Sequence, residues 1–235
     1  MIMNQLLNQY AKHLFVFIGF IVLSLGYFSP VLQGKKIFQS DIVQYTGMAK
    51  QHIDFRQDQG KETYWTNSAF GGMPTYQLGA KYPHNYIKKL DLTLRFLPRP
   101  ADYLLLYFLG FYLLLLVLKQ DFRVAVLGAL AFGFSTYLII ILGVGHNAKA
   151  HAIAYMPFVL SGVLLVYQKR YWVGFIMTTI ASALEIVTNH PQMTYYLLFV
   201  RLDAFIPRAK IAEQIKIKDD LKKDEISCAF MALIR

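Results

Sequence analysis

Three short polar groups carry most of the side chains capable of chemistry. The first is Ser40-Asp41, within Phe38-Gln-Ser-Asp-Ile-Val-Gln-Tyr45. A carboxylate there can take a proton from a hydroxyl or help hold a divalent cation, since hard cations prefer oxygen ligands. The same dipeptide ahead of a periodic stretch also fits a helix cap. The second group is Gly145-His146-Asn147-Ala148-Lys149-Ala150-His151, between two apolar stretches. A short turn needs a glycine and one or two polar residues, so two imidazoles and an ammonium exceed what turning requires. Lys149 can hold a phosphate as a point charge, and His146 or His151 can share that anion or a proton. Snorkelling of Lys149 to a membrane interface explains it equally well. The third group is Glu185 with Asn189-His190-Pro191-Gln192. An acid in an apolar segment is costly to desolvate and so points to function, less so close to the interface. Asn189 and Pro191 fit a helix start after a tight turn, which leaves His190 and Gln192 as unassigned polar groups.

Other chemistries find little support. The single cysteine, Cys228, has no partner for an intrachain disulfide, and no Cys/His spacing resembles a zinc site. The sequence holds no phosphate-binding Gly-rich motif, nucleophile elbow or HExxH helix. The segment Tyr64-Trp-Thr-Asn-Ser-Ala-Phe-Gly-Gly-Met-Pro-Thr-Tyr76 is rich in aromatics and glycine. Such faces stack on sugar rings, and they also form the belts of membrane interfaces.

The elements that must position these groups are membrane helices. Of 235 residues, 56% are hydrophobic and 16% charged, against about 25% charged in a soluble domain. The net charge of +10 does not indicate nucleic acid, because the cations flank the apolar blocks: ten lie in residues 34–100 and eight after Val200. A span needs roughly 20 apolar residues. The first, Leu14 to Leu32, reads as an uncleaved signal anchor. Ala101 to Leu118, Val124 to Val144, His151 to Gln168 and Tyr171 to Thr188 follow. A sixth starts at Met193 and breaks off at Val200. Lys119 with Arg123, and Lys169 with Arg170, mark two cytoplasmic turns. The N-terminus is then cytoplasmic, and the 34–100 loop and the 145–150 and 189–192 turns lie outside. In the loop, Ile87, Leu90, Leu94 and Leu97 recur at helical spacing, as in an interfacial helix on the outer leaflet or an ordinary amphipathic helix packed on the loop. The expected fold is all-α and polytopic, with five full transmembrane helices and a truncated sixth. Residues 201–235, with eight basic and six acidic side chains, are expected to be a charged cytoplasmic tail, a divergent or truncated end. All three polar groups then face one outer surface, which is the physical argument for a site.

Taken in order, Ser40-Asp41-Ile-Val-Gln-Tyr45, Trp65-Thr-Asn-Ser-Ala-Phe-Gly-Gly-Met-Pro74, Gly145-His-Asn-Ala-Lys-Ala-His151 and Asn189-His-Pro-Gln192 resemble the N-terminal part of the bacterial YfhO family of polytopic membrane proteins. The resemblance covers about Leu14 to Val200. It implies a likeness to GT-C glycosyltransferases, which use polyprenyl-phosphate sugars outside the cytoplasmic membrane and place a catalytic or metal-associated carboxylate in the first outer loop. Asp41 matches that position, as general base or as ligand of a divalent metal such as Mg or Mn. His146, Lys149, His151, His190 and Gln192 are then the candidates for binding the lipid-linked substrate. The expected acceptor is an envelope polymer or protein.

Two other classes compete. A transporter or lipid-handling protein requires ionisable residues and broken helices near the bilayer midplane, whereas the polar groups here gather at span ends. A noncatalytic scaffold is the reading favoured by the interrupted sixth span.

Overall fold

The computed structural model describes residues 2–199; the charged segment 201–235 and the point where the sixth span breaks off lie outside the described residues. Helix dominates, and the only strands among the described residues form a two-residue hairpin, β1 (Trp65–Thr66) with β2 (Met73–Pro74). Residues up to Met193 make one compact unit. In the second unit, residues 194–199 are helical, and the Tyr195 ring sits edge-on to Phe199.

The chain opens with α1 (Ile2–Tyr27), which stops earlier than the apolar run to Leu32 implied. Pro30 has no N–H to continue the helix, so the chain restarts as a single turn, α2 (Ser29–Leu32), with the proline in its first turn. The long loop of residues 34–100 then folds as α3 (Ser40–Gln59), the hairpin, a 3-10 turn (Thr75–Leu78) and α4 (Tyr86–Leu94). Gly60 closes α3 in the left-handed conformation and donates its N–H to the Arg56 carbonyl. The Gln51 carboxamide oxygen on α3 accepts from the Thr66 hydroxyl and from the amides of Asn67 and Ser68, which fixes the aromatic loop to that helix.

The core is built round α5 (Ala101–Val117), which is apolar on every side and buried continuously from Ala101 to Phe108. On one side Phe20 of α1 packs on Phe108 and Tyr112, and His13 Nδ1 meets the Tyr112 hydroxyl at 2.7 Å. On the others lie α6 (Phe122–Gly133) and α8 (Asn147–Tyr167). The most extensive helix contact is between α8 and α9 (Tyr171–Ile186). It depends on two glycines: a Cβ on Gly162 would stand 2.6 Å from the Thr178 nitrogen, and one on Gly174 2.6 Å from the Val166 nitrogen. Small residues that let backbones approach are the usual means of helix association in lipid.

By length and composition α1 and α8 can each cross a membrane, and a third crossing arises if α6 and α7 (Thr136–Val144) count as one span. The stretch Val124 to Val144, expected as one straight helix, is bent by 44° between Gly133 and Thr136. Ser135 is extended there, and Gly133 lies so close to the Phe108 ring that a Cβ would collide with it. With 17 and 16 residues, α5 and α9 fall short of the roughly 20 that a full crossing takes.

On α4 the leucines Leu90, Leu92 and Leu94 are exposed while Asp91 and Arg95 are buried, so its charged edge turns to the protein and its leucines face outward, an arrangement compatible with an interfacial helix rather than one packed on the loop by its leucines. One expectation about a turn is corrected. The 145–150 segment is only partly a turn: Gly145 is left-handed at φ 100°, and α8 begins at Asn147, which places His151 inside a helix.

Candidate functional site

Asp41 occupies the first turn of α3, where an acid complements the positive helix end. Its carboxylate does not cap the helix. Oδ2 instead pairs with Nδ1 of His146, which holds the residue position just before α8. The side chains are 33% and 49% exposed respectively, open enough for a substrate to reach. The backbone is shaped for this meeting. The Gln39 side chain, one residue before α3, donates to the Leu142 carbonyl at 2.6 Å, and Gly145 leaves no room for a side chain against Gln39. The start of α3 is thereby tied to the α7–α8 corner. A carboxylate on one imidazole nitrogen fixes the ring and makes the other nitrogen a better proton acceptor.

Lys149 stands one helical turn after His146, its ammonium 5.2 Å from the centre of the Tyr137 ring. His190 follows Asn189, which adopts φ 62° and donates its side-chain amide to the Tyr76 carbonyl, hooking the aromatic loop onto the end of α9. His190 Nδ1 accepts from the Met193 amide at 3.3 Å, as at a helix start. Burial depresses the His190 pKa, its own backbone opposes this, and the nearby Lys149 and His146 lower it further. Asp41, His146, Lys149 and His190 therefore form one neighbourhood, with a neutral His190 at pH 7. Gln192 lies on an exposed face beyond His190.

His151 does not join them. It is buried, with Nε2 2.6 Å from Asp91 Oδ1, in an ionic cluster that the sequence reading missed. Arg95 donates Nε and Nη2 to the two oxygens of Asp91 at 3.1 and 3.0 Å, and Nη1 to Asp102 at 2.9 Å. The Tyr155 hydroxyl and the Lys88 ammonium complete Asp91, each at 2.9 Å. Burial alone would raise the Asp91 pKa, but the bonds from His151, Arg95 and Lys88 overcome it and hold the carboxyl well below the usual range. The cluster clasps α4 to the starts of α5 and α8. Asp91 and Arg95 at i and i+4 were visible as a helix pair, but nothing in the sequence marked them as buried. Glu185 is also buried, near the end of α9, as an acid in an apolar segment must be.

Two cavities border these groups. One, of about 390 Å³, is lined by Lys35, Lys36, Gln39, Arg99 and Asn147 among others. The second, of about 470 Å³, is almost wholly apolar, with Phe17, Leu94, Phe96, Phe158 and Ile180 in its walls. Among the described residues no group of three or more His, Cys, Asp or Glu side chains is placed to hold a metal ion. A divalent cation at Asp41 would have to take most of its ligands from water and substrate, as Mg²⁺ often does.

Fold and site together define a helical, membrane-associated protein with a carboxylate–imidazole pair where α3 meets the α7–α8 corner. Comparison with known protein families, with curated proteins and with solved structures finds no match.

Proposed function

We propose that the chain is a membrane glycosyltransferase, or the N-terminal part of one, of the YfhO family and GT-C-like in layout. It would move a sugar from a polyprenyl-phosphate carrier to an envelope polymer or protein on the outer side of the bacterial cytoplasmic membrane. The pairing of Asp41 with His146 carries this reading. It supplies an accessible base in the first long loop after a membrane helix, with Lys149 and His190 beside it. In the reaction the acceptor hydroxyl oxygen bonds to the anomeric carbon of the sugar and its proton passes to Asp41. The bond from that carbon to the carrier phosphate breaks, and the phosphate leaves with the electron pair. The Lys149 ammonium favours that charge as it develops, and His146 holds the Asp41 carboxylate in place. A divalent metal such as Mg or Mn, where one takes part, would be held by Asp41 and would supply positive charge for the departing phosphate.

The topology belongs to the same proposal. Lys119 and Lys169, both with left-handed backbone in the α5–α6 and α8–α9 turns, lie on the cytoplasmic side with the N-terminus. Five helices then cross the bilayer, α6 and α7 as one bent span and α5 and α9 extended by flanking residues. The apolar cavity suits a prenyl chain.

The test is transfer by the full chain in liposomes that contain a polyprenyl-phosphate sugar. Asp41→Asn should lower the rate by about 10²-fold or more, the usual contribution of a general base, with substrate binding retained. An unchanged rate removes Asp41 from the mechanism. One observation favours a transporter or lipid-handling protein instead: the chain holds both a buried Asp91–Arg95–Asp102–His151 cluster and a broken apolar helix, features expected of an ion-coupled path.

A further inference from the structure

We infer that the cleft bounded by Lys35, Lys36 and Arg99 is a binding site for a phosphate or pyrophosphate group, distinct from Lys149 and the histidines. The three cations line a cavity of about 390 Å³ whose lining residues include no acid. That volume lies in the roughly 300–1,000 Å³ range of small-ligand clefts. Among the described residues none of the three makes an ion pair with a carboxylate, although Asp102 feels the field of Arg99. Like charges left unpaired round one cavity repel each other, and an anion between them removes the repulsion.

The backbone adds to the same field. Three helices start at this cleft: Gln39 and Pro100 immediately precede α3 and α5, and Asn147 is the first residue of α8. None of the three starts is capped by a side chain. Each start carries the partial positive charge of a helix N-terminus, which favours an anion, although several of the first N–H groups of α5, and that of Asn147, already have partners within the chain. The acids in two of these first turns are already engaged, Asp41 by His146 and Asp102 by Arg95. Their charges are therefore largely compensated, while those of Lys35, Lys36 and Arg99 are not.

Arg99 supplies a planar fork suited to two phosphate oxygens, and its guanidinium also lies 5.9 Å from the Tyr103 ring centre, which limits its freedom. Lys35 and Lys36 provide exposed point charges in the lining of the same cleft. Because Gln39, two residues before Asp41, and Asn147, next to His146, line the cleft, an anion held there lies close to the carboxylate–imidazole pair. The site deepens the transferase reading and rests on it only for which molecule brings the phosphate; the anion-binding chemistry is independent of it.

The experiment is titration calorimetry with inorganic pyrophosphate on the full chain in phosphatidylcholine nanodiscs at low salt, without divalent metal. A second arm adds a polyprenyl phosphate to the nanodisc lipid. The parent protein should bind pyrophosphate, more weakly as salt rises. The double variant Lys35→Gln/Lys36→Gln, whose exposed lysines leave folding intact, and Arg99→Gln should each weaken binding about 10-fold or more, the scale of a lost charged hydrogen bond. Lys50→Gln, a cation on α3 paired with Asp54, should bind like the parent. If polyprenyl phosphate blocks pyrophosphate, the ligand is a lipid headgroup; if pyrophosphate still binds unchanged, a free phosphate is the ligand. Both results support the site. Equal binding by the parent and the cleft variants, or no pyrophosphate binding by the parent in the phosphatidylcholine-only arm, overturns it. The transfer assay separates the two ideas: a parent protein that binds pyrophosphate in the cleft but moves no sugar from the polyprenyl-phosphate donor defeats the transferase reading and leaves the anion site standing.

Discussion

At the scale of residues, what matters is which acid each imidazole meets. His146 stands before the first turn of α8 and reaches Asp41, while His151 lies inside the helix and reaches Asp91. At about 100° per residue the two differ by well over a quarter turn, and Lys149 stays close to the face of His146. Arg95 is the hinge of the inner cluster, since its removal leaves Asp91 and Asp102 buried without their main counter-charge. Arg95→Ala should therefore destabilise the protein by about 3–5 kcal/mol, measured by thermal unfolding in detergent micelles. Arg95→Lys, which keeps charge but not the fork, should lie between. The depressed pKa of Asp91 gives a pH dependence of definite sign. Its native value lies below the ordinary carboxylate value of about 3.9, so its stabilisation is complete above that pH and is lost as pH falls through it toward the native value. Acidification from pH 7 to pH 3 should lower the unfolding temperature of the parent more than that of Asp91→Asn. Equal losses would show that other groups govern the acid response.

At the scale of elements, close approach decides the packing of α8 on α9. With Thr178 and Val166 backbone against Gly162 and Gly174, any side chain at either glycine forces the helices apart. Gly162→Leu and Gly174→Val should each cost at least the 1–3 kcal/mol or so of an overpacked core. Gly143, which faces open space, should accept alanine with little change by the same unfolding assay. A normal unfolding temperature in Gly162→Leu would mean that the two helices do not pack through this seam. The bend between α6 and α7 has a comparable cause in Gly133 against Phe108, joined to an extended Ser135. Hydropathy averages over such a break, which is why one apolar stretch reads as one straight helix.

At the scale of the whole molecule, the arrangement predicts a sidedness. With Cys228→Ser as background, Ser40→Cys should react with a membrane-impermeant maleimide added outside intact cells, and Lys119→Cys only after permeabilisation. The reverse pattern would invert the proposed topology and place the Asp41–His146 pair on the cytoplasmic face. The loop of residues 34–100 is more than a tether: Gln51 fastens its aromatic segment to α3, Asn189 fastens it to the end of α9, and Arg95, paired with Asp91, fastens α4 to Asp102 of the helix core. The cationic cleft, by contrast, draws on residues from the 34–39 stretch, the 99–100 corner and the start of α8, so it exists only when all of these are docked together.

The sequence by itself determined the helical class, the apolar segments and most of the polar neighbourhood, because hydropathy, helical period and helix-start residues act over a few positions. Asp41, His146, Lys149 and His190 were legible as polar residues at the ends of apolar runs, where desolvation allows charge to persist. Only the tertiary structure decided their partners. The pairing of Asp41 with His146 joins positions 105 apart, and that of Asp91 with His151 joins positions 60 apart. Such pairings depend on helix start and phase: one residue's change in where α8 begins turns each of its side chains by about 100°. The buried edge of α4 was hidden for the same reason. Period alone shows that a helix has two faces, and the charged face turned inward because Asp102, Tyr155 and His151 were there to satisfy it.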